Sequence, residues 1–250
     1  ILLLGAISGF PWVIIGSSLS LWLKEDGLSR STIGWAGLIF AVYAFNYLWA
    51  PIIDKVRIPW LTKRIGHRRG WIVLMQAIIL ICLVFWSTVN PTANLTLVIS
   101  IGLIIAIASA TQDITVDALR IEQIGEHEGK SMQAGAAMAV VGWWTGYKLG
   151  GVIALNTAEF FQKIGFENYW QITFLILGIV IIGCNIGLMF ISETKSTDRS
   201  FSQKQTDKFI AQKLGASNII TKSAAWITGT VVGPITSFFK KNGFNIALAI

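Results

Sequence analysis

Six long apolar runs, each close to the length of a membrane-crossing helix, constrain this chain more than any other feature. A helix rising about 1.5 Å per residue needs about 20 mostly apolar residues to cross a hydrocarbon core about 30 Å thick. The runs lie at Ile1–Leu23, Thr32–Ile53, Trp71–Val89, Ala93–Leu119, Met132–Thr157 and Tyr169–Ser192, and a seventh starts near Phe244. Their apolar character is continuous rather than alternating, which excludes an outer-membrane barrel and predicts α-helices. Only 13% of the residues are charged and 54% are hydrophobic, whereas soluble domains carry about 25% charge. The expected class is therefore an all-α polytopic membrane protein. A six-helix bundle fills residues 1–192, a polar, basic connector covers 193–243, and residues 244–250 begin a seventh helix.

The basic residues set the expected orientation. Sixteen fall in the segments after the second, fourth and sixth helices, and three (Lys24, Arg30, Lys163) on the other side. By the positive-inside rule the sixteen are cytoplasmic, and so is the N-terminus. The net charge of +7 thus reflects membrane topology and anionic lipid, not a nucleic-acid partner. Within the connector, the uncharged stretch from Ala224 to Phe239 is short, rich in Gly and Thr, and basic at both flanks, so it is expected in the interface rather than across the membrane. Both ends of the sequence read as cuts through hydrophobic segments, so the expectation is a fragment whose second half is missing.

No enzyme constellation stands out. His67 and His127 lie in polar loops, Cys82 and Cys184 in apolar runs, and there is no nucleophile–base or metal-ligand spacing. Neither a cofactor nor a metal is expected.

Charge at depth is more informative. "ATQDITVDALRIE" (Ala110 to Glu122) ends the fourth helix and places Asp113 and Asp117 four residues apart on one face, with Arg120 within reach of Asp117. Asp113 lies about 28 Å from the helix start, toward the cytoplasmic end. Two neighbouring carboxylates at the mouth of a cavity suit a coupling or gating role, and equally an ion-pair cluster that closes the bundle. Lys148 lies inside the fifth helix, about 24 Å up from its start, where it either snorkels outward or offers a cation to an anionic substrate. Tyr43, Asn46, Ser17, Ser18, Gln112 and Asn185 add polar groups between the helices, and Gly9-Phe10-Pro11 supplies a helix breaker. Small residues recur every fourth position as Gly102, Ala106 and Ala110 on the fourth helix and Gly142, Gly146 and Gly150 on the fifth. Such faces permit close backbone approach.

Several stretches resemble known transporters. "FNYLWAPIIDKV" followed by "GHRRGW" resembles the signature between helices two and three of the major facilitator superfamily. That resemblance assigns Asp54, Gly66, Arg68 and Arg69 to a cytoplasmic gate motif, with "VRIPWLTKRI" inserted. Together with "SGFPWVIIGSSLSLWL", "SATQDITVDALRIE" and "GYKLG", these stretches are similar in order and spacing to the AmpG-like muropeptide permeases. The resemblance covers residues 1–192 and implies a twelve-helix fold of which this is the N-terminal half. It implies proton-coupled import of 1,6-anhydromuropeptides across the bacterial inner membrane for peptidoglycan recycling, by alternating access. Asp113, Asp117 and Arg120 would serve coupling, and Tyr43, Asn46, Gln112 and Lys148 the substrate cavity. The eukaryotic acetyl-CoA transporters resemble the same family, so acetyl-CoA or another anionic metabolite is the alternative cargo, and a non-transporting muropeptide sensor the alternative role.

Overall fold

The computed structural model describes residues 1–124, 129–191, 193 and 236. All regular structure among them is helical. The chain divides into two units, Ile1–Asn46 with Ile58–Thr194, and Tyr47–Arg57 with Lys195–Ile250. In the second unit, the described structure centres on the short helix Ala50–Lys55. The remainder of the expected connector, the start of a seventh helix and His127 lie outside the described residues.

Six long helices account for most of the described chain: α1 (Leu2–Glu25), α2 (Arg30–Leu48), α3 (His67–Trp86), α4 (Leu95–Ile124), α5 (Gly129–Lys163) and α6 (Tyr169–Met189). All except α5 are long and apolar enough to cross a membrane. α5 has 35 residues, but its glycines, Gln133 and Lys148 dilute its hydropathy. Packing identifies it as the sixth span. A Cβ on Gly142 would collide with the Leu2 carbonyl oxygen, one on Gly146 with that of Ala6, and one on Gly150 would press on the Phe10 ring. Numbering climbs together along both helices, so α1 and α5 run parallel, as alternating crossings require. The partner face on α1 is also glycine: Gly5 meets the Ala139 backbone and Gly9 that of Trp143. Without side chains at these crossings the two backbones touch and gain dispersion contacts that lipid cannot supply.

Contacts at the two ends complete the up-and-down order. At one end, Arg68 at the start of α3 meets Glu122 at the end of α4, and Arg69 donates to the Met189 carbonyl of α6 at 3.1 Å. At the other, Trp86 Nε1 closes α3 against the Val98 carbonyl of α4 at 3.1 Å, and Glu25 of α1 accepts from Tyr169 and Trp170 of α6. Beside Glu25, burial first and the Glu25 charge second hold the Asp26 carboxyl above its usual value. The outer faces of α3 and α6 expose Ile81, Val84, Phe85, Leu175, Ile179 and Ile186. A groove of about 600 Å³ between these helices is lined by apolar side chains. Such a surface suits acyl chains.

Two expected elements change. The second helix stops at Leu48 rather than Ile53, after tightening into 3₁₀ turns at Gly37–Phe40 and Asn46–Leu48. Pro51 explains the break: it lacks an N–H and opens the separate helix Ala50–Lys55. At the start of α2, Ser29 Oγ accepts from the Thr32 N–H at 3.1 Å, the expected N-cap arrangement. Gly9-Phe10-Pro11, in turn, does not break α1. The α-helical ladder continues to Val13 and widens into a π turn at Ile14–Ser18 before resuming. The small-residue faces also differ from each other. Gly102 packs under the Trp86 ring, whereas Gly142 and Gly146 of α5 admit backbone.

Because Gly151 has nothing within 4 Å while Gly146 abuts the α1 backbone, the two separate packing from propensity. Gly146→Val is expected to destabilise the protein by about 2–3 kcal/mol or more, and Gly151→Val to change it little. Thermal unfolding in detergent checks this.

Candidate functional site

The site starts from a missing hydrogen bond. Pro11 has no N–H, so the carbonyl four residues earlier, Ile7, loses its helical donor. In hydrocarbon an unsatisfied carbonyl is costly, and water is not at hand. Gln112 of α4 supplies the replacement: its Nε2 donates to Ile7 O at 2.9 Å from a fully buried position. That bond fixes the register of α4 against α1. The next residue, Asp113, is thereby brought to Ser8, whose Oγ donates to Asp113 Oδ1.

Around this carboxylate the structure collects further polar groups: the Trp12 indole interacts with Asp113 and the Ser109 hydroxyl with that of Tyr43, while Gln112 Oε1 is buried without a partner. Ser109 and Gln112 have no exposed surface, and Ser8 is 7% exposed. Buried polar groups in folded proteins are normally paired, so the lone Gln112 Oε1 beside this cluster demands a physical reason. Other polar residues at depth turn inward on their own helices. Asn185 Nδ2 donates to Ile181 O at 3.1 Å and Ser17 Oγ to Val13 O at 3.4 Å, so they do not form the interhelical bonds such residues commonly make.

The remaining candidates divide. Arg120 pairs with Asp117 at 3.1 Å as the spacing predicts, with the Asp117 side chain 61% exposed. Asp117 therefore lies outside the buried cluster that holds Asp113. Asn46 is half-buried where α2 tightens into its last 3₁₀ turn. Ala106 and Ala110 are fully buried. Lys148 is exposed, on the side of α5 opposite its glycines. Gly146 abuts Ala6 and Gly150 abuts Phe10, so Lys148 is level with Ser8 and Asp113.

At the basic end, Gly66 opens α3 with φ 101°, and a Cβ there would also strike the Glu193 carboxylate. Glu193 Oε1 accepts from the N–H groups of His67 (2.8 Å) and Arg68 (3.0 Å), and Oε2 from that of Arg69 (3.1 Å). A carboxylate so placed satisfies three orphan donors and complements the helix dipole. Arg68, 6% exposed, donates to Glu122 Oε1 from Nε (3.1 Å) and Nη2 (2.9 Å). Sequence reasoning assigned Gly66, Arg68 and Arg69 to this end but missed Glu193 and Glu122 as their acceptors. Asp54, the expected acidic member, falls in the second unit.

Comparison with known proteins places this geometry. The family model of the Major Facilitator Superfamily matches residues 1–250. The chain belongs to that superfamily. It is 32% identical to a putative transporter AmpG 4 of Rickettsia felis across 100% of this chain and 54% of that protein. With the anhydromuropeptide permease of Escherichia coli it shares 29% identity over 79% of this chain and 38% of the permease. With a putative transporter AmpG 1 of Rickettsia felis it shares 35% over 72% of this chain and 40% of that protein. The chain thus spans about half the length of the first of these relatives, and this superfamily member is a multi-pass membrane protein.

If Gln112 exists to satisfy the carbonyl that Pro11 frees, the two residues are coupled. Gln112→Leu is expected to cost about 1–3 kcal/mol. Adding Pro11→Ala restores an N–H for Ile7 O, so the double variant should be more stable than Gln112→Leu alone. A thermal-unfolding double-mutant cycle measures the coupling; strict additivity would contradict it.

Proposed function

We propose that this chain is the N-terminal half of a proton-coupled permease that imports 1,6-anhydromuropeptides across the bacterial inner membrane by alternating access. The observation that carries the reading is Asp113, a carboxylate of a membrane-spanning helix held by Ser8 beside the buried polar side chains of Ser109 and Gln112, in a chain similar to an anhydromuropeptide permease. An ionisable group at such depth is costly to keep and serves where protonation or a ligand compensates it. Protonation of Asp113 removes the charge that strengthens the hydrogen bond from Ser8, which loosens the α1–α4 contact. Gln112, Tyr43 and Asn46 supply amide and hydroxyl groups for a solute rich in both. Lys148, level with Asp113, supplies a cation for peptide carboxylates.

The N-terminus and the basic end are assigned to the cytoplasm by the placement of lysine and arginine. A second half is assigned to the faces of α2 and α5 that this chain leaves open. Trp35 (70% exposed) and Phe45 (55%) on α2, and Trp144 (51%) on α5, are large surfaces for docking another bundle. Gly66, Arg68 and Arg69 are assigned to the cytoplasmic gate motif, with Glu193 and Glu122 holding them in one arrangement.

The test is uptake of a labelled anhydromuropeptide by the full-length protein in cells lacking their own permease. An uncoupler should abolish uptake in the wild type. Asp113→Asn should lower uptake at least about tenfold with the protein still in the membrane. Uptake by Asp113→Asn that matches wild type at several external pH values would overturn the coupling role.

A further inference from the structure

The groove between α3 and α6 does not stop at the outer half of the bundle. A second hollow of about 330 Å³ lies below it, toward the basic end, and Leu80 and Ile182 line both, so the two form one furrow. On α3 its lining residues Val73, Ala77, Leu80 and Val84 recur every three or four positions and share one helix face. Asn185 is the polar side chain in the wall, and it turns its amide onto the Ile181 carbonyl of its own helix at 3.1 Å. The furrow therefore presents hydrocarbon. Arg69 continues the α3 row one turn below Val73. Its Nη2 donates to the carbonyl of Met189, a lining residue of the furrow, at 3.1 Å, and lies 3.4 Å from the Met189 sulfur. From Arg69 to Val84 the row is about 22 Å long, with a guanidinium at its foot.

Arg68 and Arg69 are neighbours in opposite electrostatic states. Arg68 is buried against the Glu122 carboxylate. The Arg69 guanidinium meets a carbonyl and a thioether and, among the described residues, no carboxylate. Glu193, close by, is engaged by the backbone N–H groups of His67, Arg68 and Arg69. Lys63 and Arg64 add exposed positive charge on the short helix Leu61–Ile65, whose first residue packs on Gly70. A guanidinium at the edge of hydrocarbon without a counter-ion is best matched by a phosphate, which it can bind through two parallel N–H groups. An apolar helix of another protein would fill the furrow and leave Arg69 uncompensated. A soluble anion would meet Arg69 and leave the furrow empty. A phospholipid carries both ends in the required order. We infer that the α3–α6 furrow is a binding site for an anionic phospholipid of the leaflet at the basic end, with its phosphate on Arg69 and one acyl chain along Val73, Ala77 and Leu80. The inference needs only that these helices cross a membrane, and it does not depend on what the protein carries.

The experiment is native mass spectrometry of the purified, delipidated full-length protein, titrated with dioleoyl phosphatidylglycerol or with dioleoyl phosphatidylcholine, which has the same chains and no net charge. The wild type should bind phosphatidylglycerol in preference. Arg69→Gln should weaken phosphatidylglycerol binding at least about fivefold and lose the preference. Ala77→Phe, which places a ring in the furrow and leaves every charge in place, should weaken both lipids at least about fivefold. Lys130→Gln removes an exposed charge at the same end on α5 and should leave both affinities unchanged. Each variant is checked for wild-type thermal unfolding, and should Arg69→Gln unfold early, Ala77→Phe decides alone. Equal affinity of the wild type for the two lipids, or wild-type binding by both Arg69→Gln and Ala77→Phe, would overturn the site. So would a loss in Lys130→Gln equal to that in Arg69→Gln, which marks a diffuse basic surface. A lipid-free dimer that Ala77→Phe dissociates would give the furrow to a second copy and overturn it too.

Discussion

The hydrogen bond from Gln112 to the Ile7 carbonyl is the contact on which the arrangement of this bundle depends. Proline in a membrane helix creates a polar vacancy that hydrocarbon cannot fill, so the neighbouring helix must fill it. Once Gln112 does so, the register of α4 against α1 is no longer free. Asp113 is then committed to Ser8, and Asp117 and Arg120, one and two turns on, approach the basic end as an ion pair with its acidic side exposed and its basic side largely covered. The π turn after Pro11 widens α1 where Trp12 joins the rings of α2 and α5. A single imino acid thus connects the backbone irregularity, the carboxylate and these rings.

Around that centre the bundle uses different physics on its different faces. α1 and α5 are held by glycine-to-backbone contact, where close dispersion replaces a hydrophobic effect absent from lipid. α3 and α4 are held at the basic end by a mostly buried ion pair, Arg68 with Glu122. Such a pair costs desolvation and is strongly destabilising to break from one side, so it selects one arrangement more than it adds net stability. Glu193 ties the chain after α6 to the first turn of α3. The outward faces of α3 and α6 carry large apolar side chains. Polar and ionisable groups are concentrated instead on α1, α2, α4 and α5.

Much of this was legible in the sequence, because the hydrocarbon thickness sets a minimum length that each apolar run either meets or fails. The six spans, the pairing of Asp117 with Arg120 and the close-packed glycine face of α5 follow from length and spacing alone. Gly5 and Gly9 carry the same four-residue signal on α1, yet lose it visually inside an irregular Gly-Phe-Pro stretch. That Lys148 is level with Asp113 emerges only from the packing of α5 on α1 and of α1 on α4, which no single helix reveals. Glu193 as a helix cap could not be read at all. It lies 126 residues from His67, in a segment whose other charges are mostly basic. Nor does the sequence show that Pro11 and Gln112 meet. Each looks like an isolated oddity until α1 and α4 are placed side by side.

The central claim is that the α1–α2–α4–α5 side of the bundle opens to water and solute, while the α3–α6 side faces lipid. Cysteine accessibility in the full-length protein, with Cys82 and Cys184 replaced by alanine, measures this directly. Ile179 is 65% exposed and Tyr43 only partly so, so simple exposure ranks Ile179→Cys as the more reactive. A charged, membrane-impermeant thiol reagent is expected to do the reverse: label Tyr43→Cys, with protection by an anhydromuropeptide, and leave Ile179→Cys untouched. Labelling of Ile179→Cys with Tyr43→Cys inert would contradict the claim.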